Sequence, residues 1–398
     1  MLKLLRTDGF LAYVVANGAT FAGFQVRNIA QSWLILELTN SSFMVGLINS
    51  LTHFTILILS VPGGMIADRI NRKQTSLISR FSVALVAVVT AALVFTDYIQ
   101  LWHLVIACIL LGFALAYGNS SFEALMFDLV GRVNFYRAVS FNTIISSVFS
   151  AIVPIIGGLL VVRFEISGMF ILVAIVYCVS WLSIYPIPSV SRRNSNISSV
   201  RSALRDMRDG IKYSFKTPGV NWVMIMVAGV MFWGALQPVI PAYTRDVLGM
   251  GAAGYAYMMG VSSIGSVIAA LVVFLIGDIR KKSLMLVVSV LFYSIGVVIF
   301  GVSTSIYIAY FGMFLSGCAG ALIIIVLFTL VQTVVDETVR GRVVGVAQMG
   351  MQLLGIGYLG GGLIAEIFGL SLAIIIPAIL WVLLAILAYL ASREFRSF

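Results

Sequence analysis

Charged residues are scarce in this sequence: they make up 10% of its 398 residues, whereas hydrophobic residues make up 61%. A soluble domain has roughly a quarter of its residues charged, so this composition excludes a single water-soluble globule. Apolar runs of about 20 residues recur along the chain, and each is long enough to cross the hydrocarbon core of a bilayer as a helix. The alternating segments of a transmembrane barrel are absent, so we expect an all-α polytopic membrane protein.

Cysteine and histidine are also rare, with 3 cysteines and 2 histidines in the chain. Cys108, Cys178 and Cys318 all fall in apolar segments without paired His spacing, which argues against disulfide or metal chemistry. We therefore expect no metal and no cofactor. An enzyme acting on lipid would need clustered His, Asp or Cys and is a weaker alternative to a transporter. A non-transporting scaffold or sensor is another, although the chain shows no appended signalling domain.

Breaks at charged residues, glycines and prolines predict twelve transmembrane helices. A polar stretch at residues 189–219, with an amphipathic run at 200–215, divides them into two groups of six. We therefore predict two pseudo-symmetric six-helix bundles, residues 1–188 and 220–398, joined by a linker on the membrane surface. The predicted spans are 9–37, 42–67, 74–96, 99–126, 138–162 and 167–188 in the first bundle, and 220–246, 251–276, 283–302, 305–335, 343–366 and 371–391 in the second.

The 25 lysines and arginines lie mostly on one side of this predicted topology. That side carries all of them except Arg27, Arg80, Arg163 and Arg245, and it holds both termini and the linker. By the positive-inside rule, both termini are predicted to be cytoplasmic, in a multi-pass protein of the inner membrane. The net charge of +10 needs no nucleic-acid partner, because anionic inner-leaflet lipid would hold these bases.

The loop between predicted spans 2 and 3 carries the most specific motif in the chain. It resembles the loop motif of the major facilitator superfamily, which reads Gly, three residues, Asp, Arg, one residue, Gly and then basic residues. Asn71 stands where the family has its second Gly; since Asn tolerates left-handed backbone angles, we expect the turn to survive. The matching residues are Gly64, Asp68, Arg69, Arg72 and Lys73.

A weaker copy of this pattern lies in the second half. Asp278 answers Asp68, Arg342 answers Arg137, and Gly254 answers Gly46 at a nearly constant offset, which predicts two related bundles. The superfamily resemblance implies alternating access by rocking of those bundles. Asp68 could latch the cytoplasmic side against the N-terminus of span 11, although positive-inside placement alone could explain the neighbouring bases.

Further segments indicate which branch of the superfamily the chain resembles. The chain looks like the drug- and siderophore-exporting branch, of macrolide and enterobactin type, at residues 31–34, at residues 38–42 with Gly46, and at Asp209-Gly210-Ile211-Lys212-Tyr213 in the linker. Pro154, Gly157 and Gly158 are similar to the Gly-Pro-x-x-Gly-Gly segment of the superfamily's antiporters, but close helix packing explains such small residues equally well. We expect a secondary active exporter of a bulky amphipathic or anionic molecule, with an importer or facilitative uniporter of an organic anion as the alternative.

Span 1 carries polar residues at steps of three or four, from Asn17 and Thr20 to Arg27 and Gln31, with Asn28 beside them. A permanent cation at the depth of Arg27 needs a partner. The sequence leaves open whether Glu123, Asp128, Glu37, Asp97, a carbonyl cluster or an anionic substrate supplies it.

Other polar residues at membrane depth complete the predicted site. Glu123, Asp128 and His53 are the candidates for proton coupling, although His53 could equally be a packing residue. An amide and aromatic wall for a bulky ligand is predicted from the second half, with Asn119 added from span 4. Its members are Trp233, Gln237, Tyr257, Gln332, Gln348 and Gln352. We expect a small-molecule substrate, surrounding lipid, possible proton coupling and a monomeric protein.

Overall fold

The computed structural model describes residues 7–69, 71–188, 200–277 and 280–398; at 61–69 and at some positions between 132 and 206 it describes the backbone alone. Within these ranges every regular element is an α-helix. The helices are α1 Phe10–Thr39, α2 Ser42–Arg69, α3 Arg72–Phe95, α4 Leu101–Leu182, α5 Val200–Lys216, α6 Val220–Ala228, α7 Val230–Leu236, α8 Val239–Asp246, α9 Ala252–Ile276, α10 Lys282–Val302, α11 Ile306–Val334, α12 Arg340–Met351, α13 Leu354–Phe368, α14 Leu370–Ala391 and α15 Arg393–Ser397.

The predicted all-α polytopic fold is confirmed. Ten helical segments of the described chain are long and apolar enough to cross a membrane. They do not include α1, because the polar stripe of this 30-residue helix lowers its hydropathy. All twelve predicted spans fall on helical backbone, and the predicted amphipathic run in the linker is helix α5.

Predicted spans 4, 5 and 6 follow one another as helical segments within α4, without the loops that were expected between them. The backbone leaves helical angles only at Gly131, with φ 67°, and at Glu165, with φ 54°. Gly131 takes this left-handed angle without steric cost, and no described atom outside its own helix lies within 4 Å of the position of its missing Cβ. The expected loop at residues 127–137 is therefore wrong, because a single residue makes the change of direction.

Predicted spans 7 and 11 are each interrupted, which the hydropathy pattern did not indicate. Span 7 breaks at Gly229 and again at Gln237-Pro238, where the proline has no backbone N–H to donate. Span 11 breaks at Gln352-Leu353, where the amides of Gln352 and Leu353 bond to carbonyls three residues back rather than four. Short breaks of this kind leave backbone groups available, and in transporters they accompany binding sites.

The chain divides into two compact units. Unit 1 contains the described parts of residues 1–34 and 54–203, and unit 2 contains residues 35–53 and 204–398. Helices α1 and α2 contribute to both units. Unit 1 has an apolar core formed by Phe10, Tyr13, Val14, Ala16, Phe122, Leu125, Met126, Val130, Ala138, Ile184 and Ile187. In unit 2, the buried Tyr293 packs edge-on against the buried Trp381, which joins α10 to α14.

Candidate functional site

Arg27 lies buried in unit 1 among neutral polar groups. Its Nη1 donates to Gln31 Oε1 at 2.8 Å, and its Nη2 donates to Asn28 Oδ1 at 2.9 Å. Gln31 Nε2 in turn donates to Cys108 Sγ at 3.0 Å. The guanidinium also lies 5.5 Å from the centre of the Phe24 ring. We call Phe24, Arg27, Asn28, Gln31 and Cys108 the Arg27 cluster.

The Arg27 cluster lacks a counter-ion within the described part of the chain. Arg27 is 7% exposed, and none of the ion pairs found there includes it. Its Nε is buried and has no hydrogen-bond partner among the described residues. The acids proposed from the sequence therefore do not pair with Arg27 in this structure, and amide oxygens solvate the cation instead. A buried cation in this state favours binding of an anionic group.

The rest of the polar stripe on α1 does not reach this cluster. Asn17 Nδ2 donates to Asn142 Oδ1 at 3.3 Å and to Ser146 Oγ at 3.1 Å. Thr20 Oγ1 lies 2.6 Å from Ser180 Oγ. These residues join α1 to two different parts of α4, so the stripe serves packing at one end and the Arg27 cluster at the other.

Arg80 on α3 is a second buried cation, and the sequence analysis did not propose it as a site residue. It is 3% exposed, and its Nε and Nη1 have no hydrogen-bond partner in the described chain. Its guanidinium lies 4.8 Å from the centre of the Phe122 ring, which stacks on Tyr13. The neighbouring Glu123 is exposed and acts electrostatically on Arg80. The signal that could have revealed it was the same as for Arg27, a base in mid-span.

Asp128 forms an ion pair with Arg72 of the loop motif. Arg72 Nη1 donates to both carboxylate oxygens, at 2.6 and 2.7 Å, and to the Ala124 carbonyl at 3.2 Å. This half-buried ion pair holds the start of α3 against α4. Lys73 Nζ donates to the Tyr185 carbonyl at 2.8 Å. Both bases therefore have structural partners in unit 1.

Asn71 caps α3, a role that the sequence analysis did not expect. Its φ is −57°, so the expected left-handed conformation is wrong. Instead its side-chain Oδ1 accepts a hydrogen bond from the Lys73 amide at 2.9 Å and caps the N-terminus of α3. The side chains at positions 64, 68 and 69 and the whole of Asp278 lie outside the described residues, so the roles predicted for Gly64, Asp68, Arg69 and Asp278 stay predictions.

His53 and Gln352, which the sequence analysis placed in separate sets, meet within unit 2. His53 Nδ1 lies 3.1 Å from Gln352 Oε1, and its ring centre lies 5.4 Å from that of Tyr358. Because an amide oxygen only accepts, Nδ1 carries the proton in this contact. Gln352 lies where α12 ends, so His53 contacts the broken span at its break.

The residues predicted to form an aromatic and amide wall differ in their exposure. Trp233 is half-buried and packs edge-on against Tyr293, with 6.2 Å between ring centres. Gln237, at the second break of span 7, and Tyr257 on α9 are also half-buried. Tyr293, which the sequence analysis missed, links Trp233 to Trp381. The remaining amides proposed for the wall, Gln332, Gln348 and Asn119, are exposed, as is Arg342 at the start of α12.

Gly157 and Gly158 are buried within unit 1. A Cβ on Gly157 would lie 3.2 Å from Met169 Cε and 3.4 Å from a methyl of Val26, so this segment packs closely against α1. The side chain of Pro154 lies outside the described residues. The contacts of Gly157 agree with the packing interpretation of the segment and do not test the antiporter interpretation.

Two glycines bring α2 and α13 into backbone contact within unit 2. A Cβ on Gly46 would overlap the Tyr358 carbonyl oxygen, and a Cβ on Gly362 would lie 2.6 Å from the Ser42 carbonyl oxygen. We call this the α2–α13 contact. Polar bonds border it: Ser41 Oγ donates to Glu366 Oε2 at 3.1 Å, and Arg245 Nη1 donates to Asn40 Oδ1 at 2.8 Å.

Comparison with solved structures gives the same fold. A bacterial homologue of the human lysosomal transporter Spinster, in an inward-facing and unoccupied conformation, matches with a TM-score of 0.76 at 14% identity, covering 97% of each chain. A POT family transporter in complex with 5-aminolevulinic acid matches with a TM-score of 0.77 at 10% identity, covering 97% of this chain and 96% of that one.

Sequence comparison finds relatives over most of the chain. The uncharacterized MFS-type transporter YfiS of Bacillus subtilis is 24% identical over 368 residues, which cover 86% of this chain and 83% of that protein. The enterobactin exporter EntS of Shigella flexneri is 23% identical over 353 residues, which cover 86% of this chain and 82% of EntS. The profile of the Major Facilitator Superfamily matches residues 13–357. The chain therefore belongs to the Major Facilitator Superfamily and is a membrane transporter, not an enzyme.

Proposed function

We propose that this transporter is a proton-coupled exporter of bulky amphipathic or anionic small molecules, of the drug or siderophore class. In this proposal it acts as a monomer in the inner membrane with both termini cytoplasmic. It alternates access by rocking of the bundles 1–188 and 220–398, with Asp68 as the cytoplasmic latch. Similarity to the enterobactin exporter supports the direction and the substrate class.

The observation that carries the proposal is the Arg27 cluster. A guanidinium that is 7% exposed and bonded to amide oxygens is solvated but not neutralised. An anionic group on the substrate would supply the missing charge and could form paired hydrogen bonds to the planar guanidinium.

The proposal is tested first by finding the substrate. Cells lacking the protein are expected to retain one metabolite, or to become hypersensitive to one compound, and re-expression should reverse this. In everted membrane vesicles that compound should then accumulate inside when a proton gradient is imposed, and an ionophore should abolish the accumulation. Accumulation by intact cells instead would establish import, and gradient-independent equilibration would establish facilitated diffusion; either result overturns the proposal.

Among the three proton-coupling candidates, the structure favours Glu123. Asp128 is held by Arg72, and His53 contacts Gln352. The Glu123 side chain is exposed, forms none of the ion pairs found in the described chain, and lies within electrostatic range of buried Arg80. Protonation of Glu123 would therefore change the charge next to Arg80, which is how a proton carrier could bias a transporter between its states.

Glu123→Gln should abolish accumulation driven by a proton gradient, because the amide cannot take up or release a proton at this position. Exchange of labelled for unlabelled substrate, which needs no net proton movement, should persist. Accumulation and exchange are both measured in proteoliposomes with labelled substrate, and an internal pH dye follows proton movement. Glu37→Gln is the matched control, since Glu37 is an exposed acid on α1. Gradient-driven accumulation at the wild-type level in Glu123→Gln would refute this assignment.

A further inference from the structure

Helix α5 packs one of its faces against α12 and the turn that precedes α12, within unit 2. A Cβ on Gly210 would lie 3.1 Å from the Arg342 carbonyl oxygen, so the backbones of α5 and α12 nearly touch. Ser214, one turn later, is fully buried, and the Tyr213 hydroxyl donates to Asp336 Oδ2 at 3.0 Å. This docked face fixes which side of α5 faces away from the protein.

The opposite face of α5 is exposed, and its composition is unusual for a surface in contact with water. Phe215 is 58% exposed and Ile211 is 38% exposed, and the two lie one helical turn apart. At 100° per residue, four exposed bases continue around the helix from this apolar pair, with Asp209 as the only described acid among them. The four bases are Arg205, Arg208, Lys212 and Lys216. We call these six apolar and basic residues the outward face of α5.

The basic surface continues beyond α5 within unit 2. A Cβ on Gly219, three residues after the helix ends, would lie 2.7 Å from the Phe398 ring and 3.1 Å from Glu394 Cβ. The end of the linker is therefore packed against α15, whose exposed Arg393 and Arg396 add two more bases. A cationic surface with an aromatic residue at its edge complements an anionic bilayer surface, since each Lys or Arg near such a surface is attracted to it.

We propose that the outward face of α5 binds the anionic headgroups of the adjacent lipid leaflet, with Phe215 and Ile211 inserted at the boundary between headgroups and acyl chains. Charge complementarity favours anionic lipid as the ligand of this face, because its four bases attract anionic headgroups. The apolar pair can insert among the acyl chains. The docked face, held by Gly210, Ser214 and Tyr213, then ties unit 2 to the leaflet. The proposal is independent of which substrate is transported.

The test measures contact between α5 and lipid in the full-length protein. Cys108, Cys178 and Cys318 are replaced, a bimane label is placed at Ile211→Cys, and the protein is reconstituted in phosphatidylcholine vesicles. Part of the lipid is either brominated phosphatidylglycerol or, at the same mole fraction, brominated phosphatidylcholine. Phosphatidylglycerol should quench the label more strongly than phosphatidylcholine, and added salt should reduce the difference. The control label is Glu337→Cys, because this side chain is 88% exposed in the α11–α12 turn, and it should show no lipid preference.

Variants of the outward face sharpen the test. R205Q/R208Q/K212Q/K216Q should remove the preference for phosphatidylglycerol, whereas Asp209→Asn should increase it. All four bases are exposed, so the neutralised protein should fold, which its elution as a single species in gel filtration would check. Equal quenching by both lipids in the parent, absence of quenching, or a preference that survives neutralisation would each overturn the proposal. In the second case the outward face contacts water or another protein instead.

Discussion

Arg27→Gln should abolish transport while leaving the protein at least as stable as the wild type. The glutamine removes the charge that we assign to binding of an anionic substrate, and losing one partner of a buried charge pair costs roughly 2 kcal/mol or more, a loss of about 30-fold in affinity. The same change also removes a desolvated cation that lacks a counter-ion in the described chain, which lowers the free energy of the unliganded fold. Substrate affinity and the melting temperature of the unliganded protein are the two measurements.

The opposite signs of these two effects separate a binding role from a structural one. If Arg27 only stabilised the fold, Arg27→Gln would lower the melting temperature. Arg27→Lys should be intermediate in affinity, since an ammonium keeps the charge but loses the planar pair of donors. Arg163→Gln is the matched control, because Arg163 is exposed on α4. Wild-type affinity in Arg27→Gln would disprove the assignment.

Gly46→Val should also abolish transport, through the α2–α13 contact rather than through the ligand. The new side chain would overlap the Tyr358 carbonyl, and backbone cannot move aside as a flexible side chain can. Overpacking costs about 1–3 kcal/mol, and 2 kcal/mol alone would reduce the ratio of molecules with this contact closed to molecules with it open by about 30-fold. Ser42 is 8% exposed in the structure. In a cysteine-free background, a Ser42→Cys label site should therefore react faster with a membrane-impermeant maleimide when Gly46→Val is present than when it is absent.

Gly360→Val is the matched control for this prediction. Gly360 lies on α13 two residues from Gly362, but none of the described atoms outside its own helix lies within 4 Å of the position of its missing Cβ. It should therefore transport normally and leave the Ser42→Cys labelling slow. Normal transport by Gly46→Val, or equally fast labelling in both variants, would show that the α2–α13 contact does not close a transport pathway.

The sequence predicted the spans better than their interruptions. Hydropathy over about 20 residues identifies a segment that must be satisfied inside a membrane, and every such prediction fell on helical backbone. No proline marks the break at Gln352-Leu353 in the sequence. The break depends on what packs around α12 and α13, which hydropathy does not reveal. The direction change at Gly131 was hidden because a single glycine replaced an expected loop.

Within the candidate site, the sequence revealed residue depth but not residue partners. Arg27 stood out because a mid-span base is expensive wherever it points. Arg80 was equally visible, but its burial depends on the rotation of α3 against Phe122, and one span alone does not fix that rotation. Arg72 and Asp128 are 56 residues apart, and His53 and Gln352 are 299 apart, so only the tertiary fold reveals these pairs.

The α2–α13 contact is made of main chain at its centre and of charged groups only at its border. Screening by salt acts on exposed groups such as Arg245 and Glu366, but it hardly affects the van der Waals contact of Gly46 and Gly362 with carbonyl oxygens. Opening and closing of the α2–α13 contact should therefore proceed equally well at low and at high salt concentration.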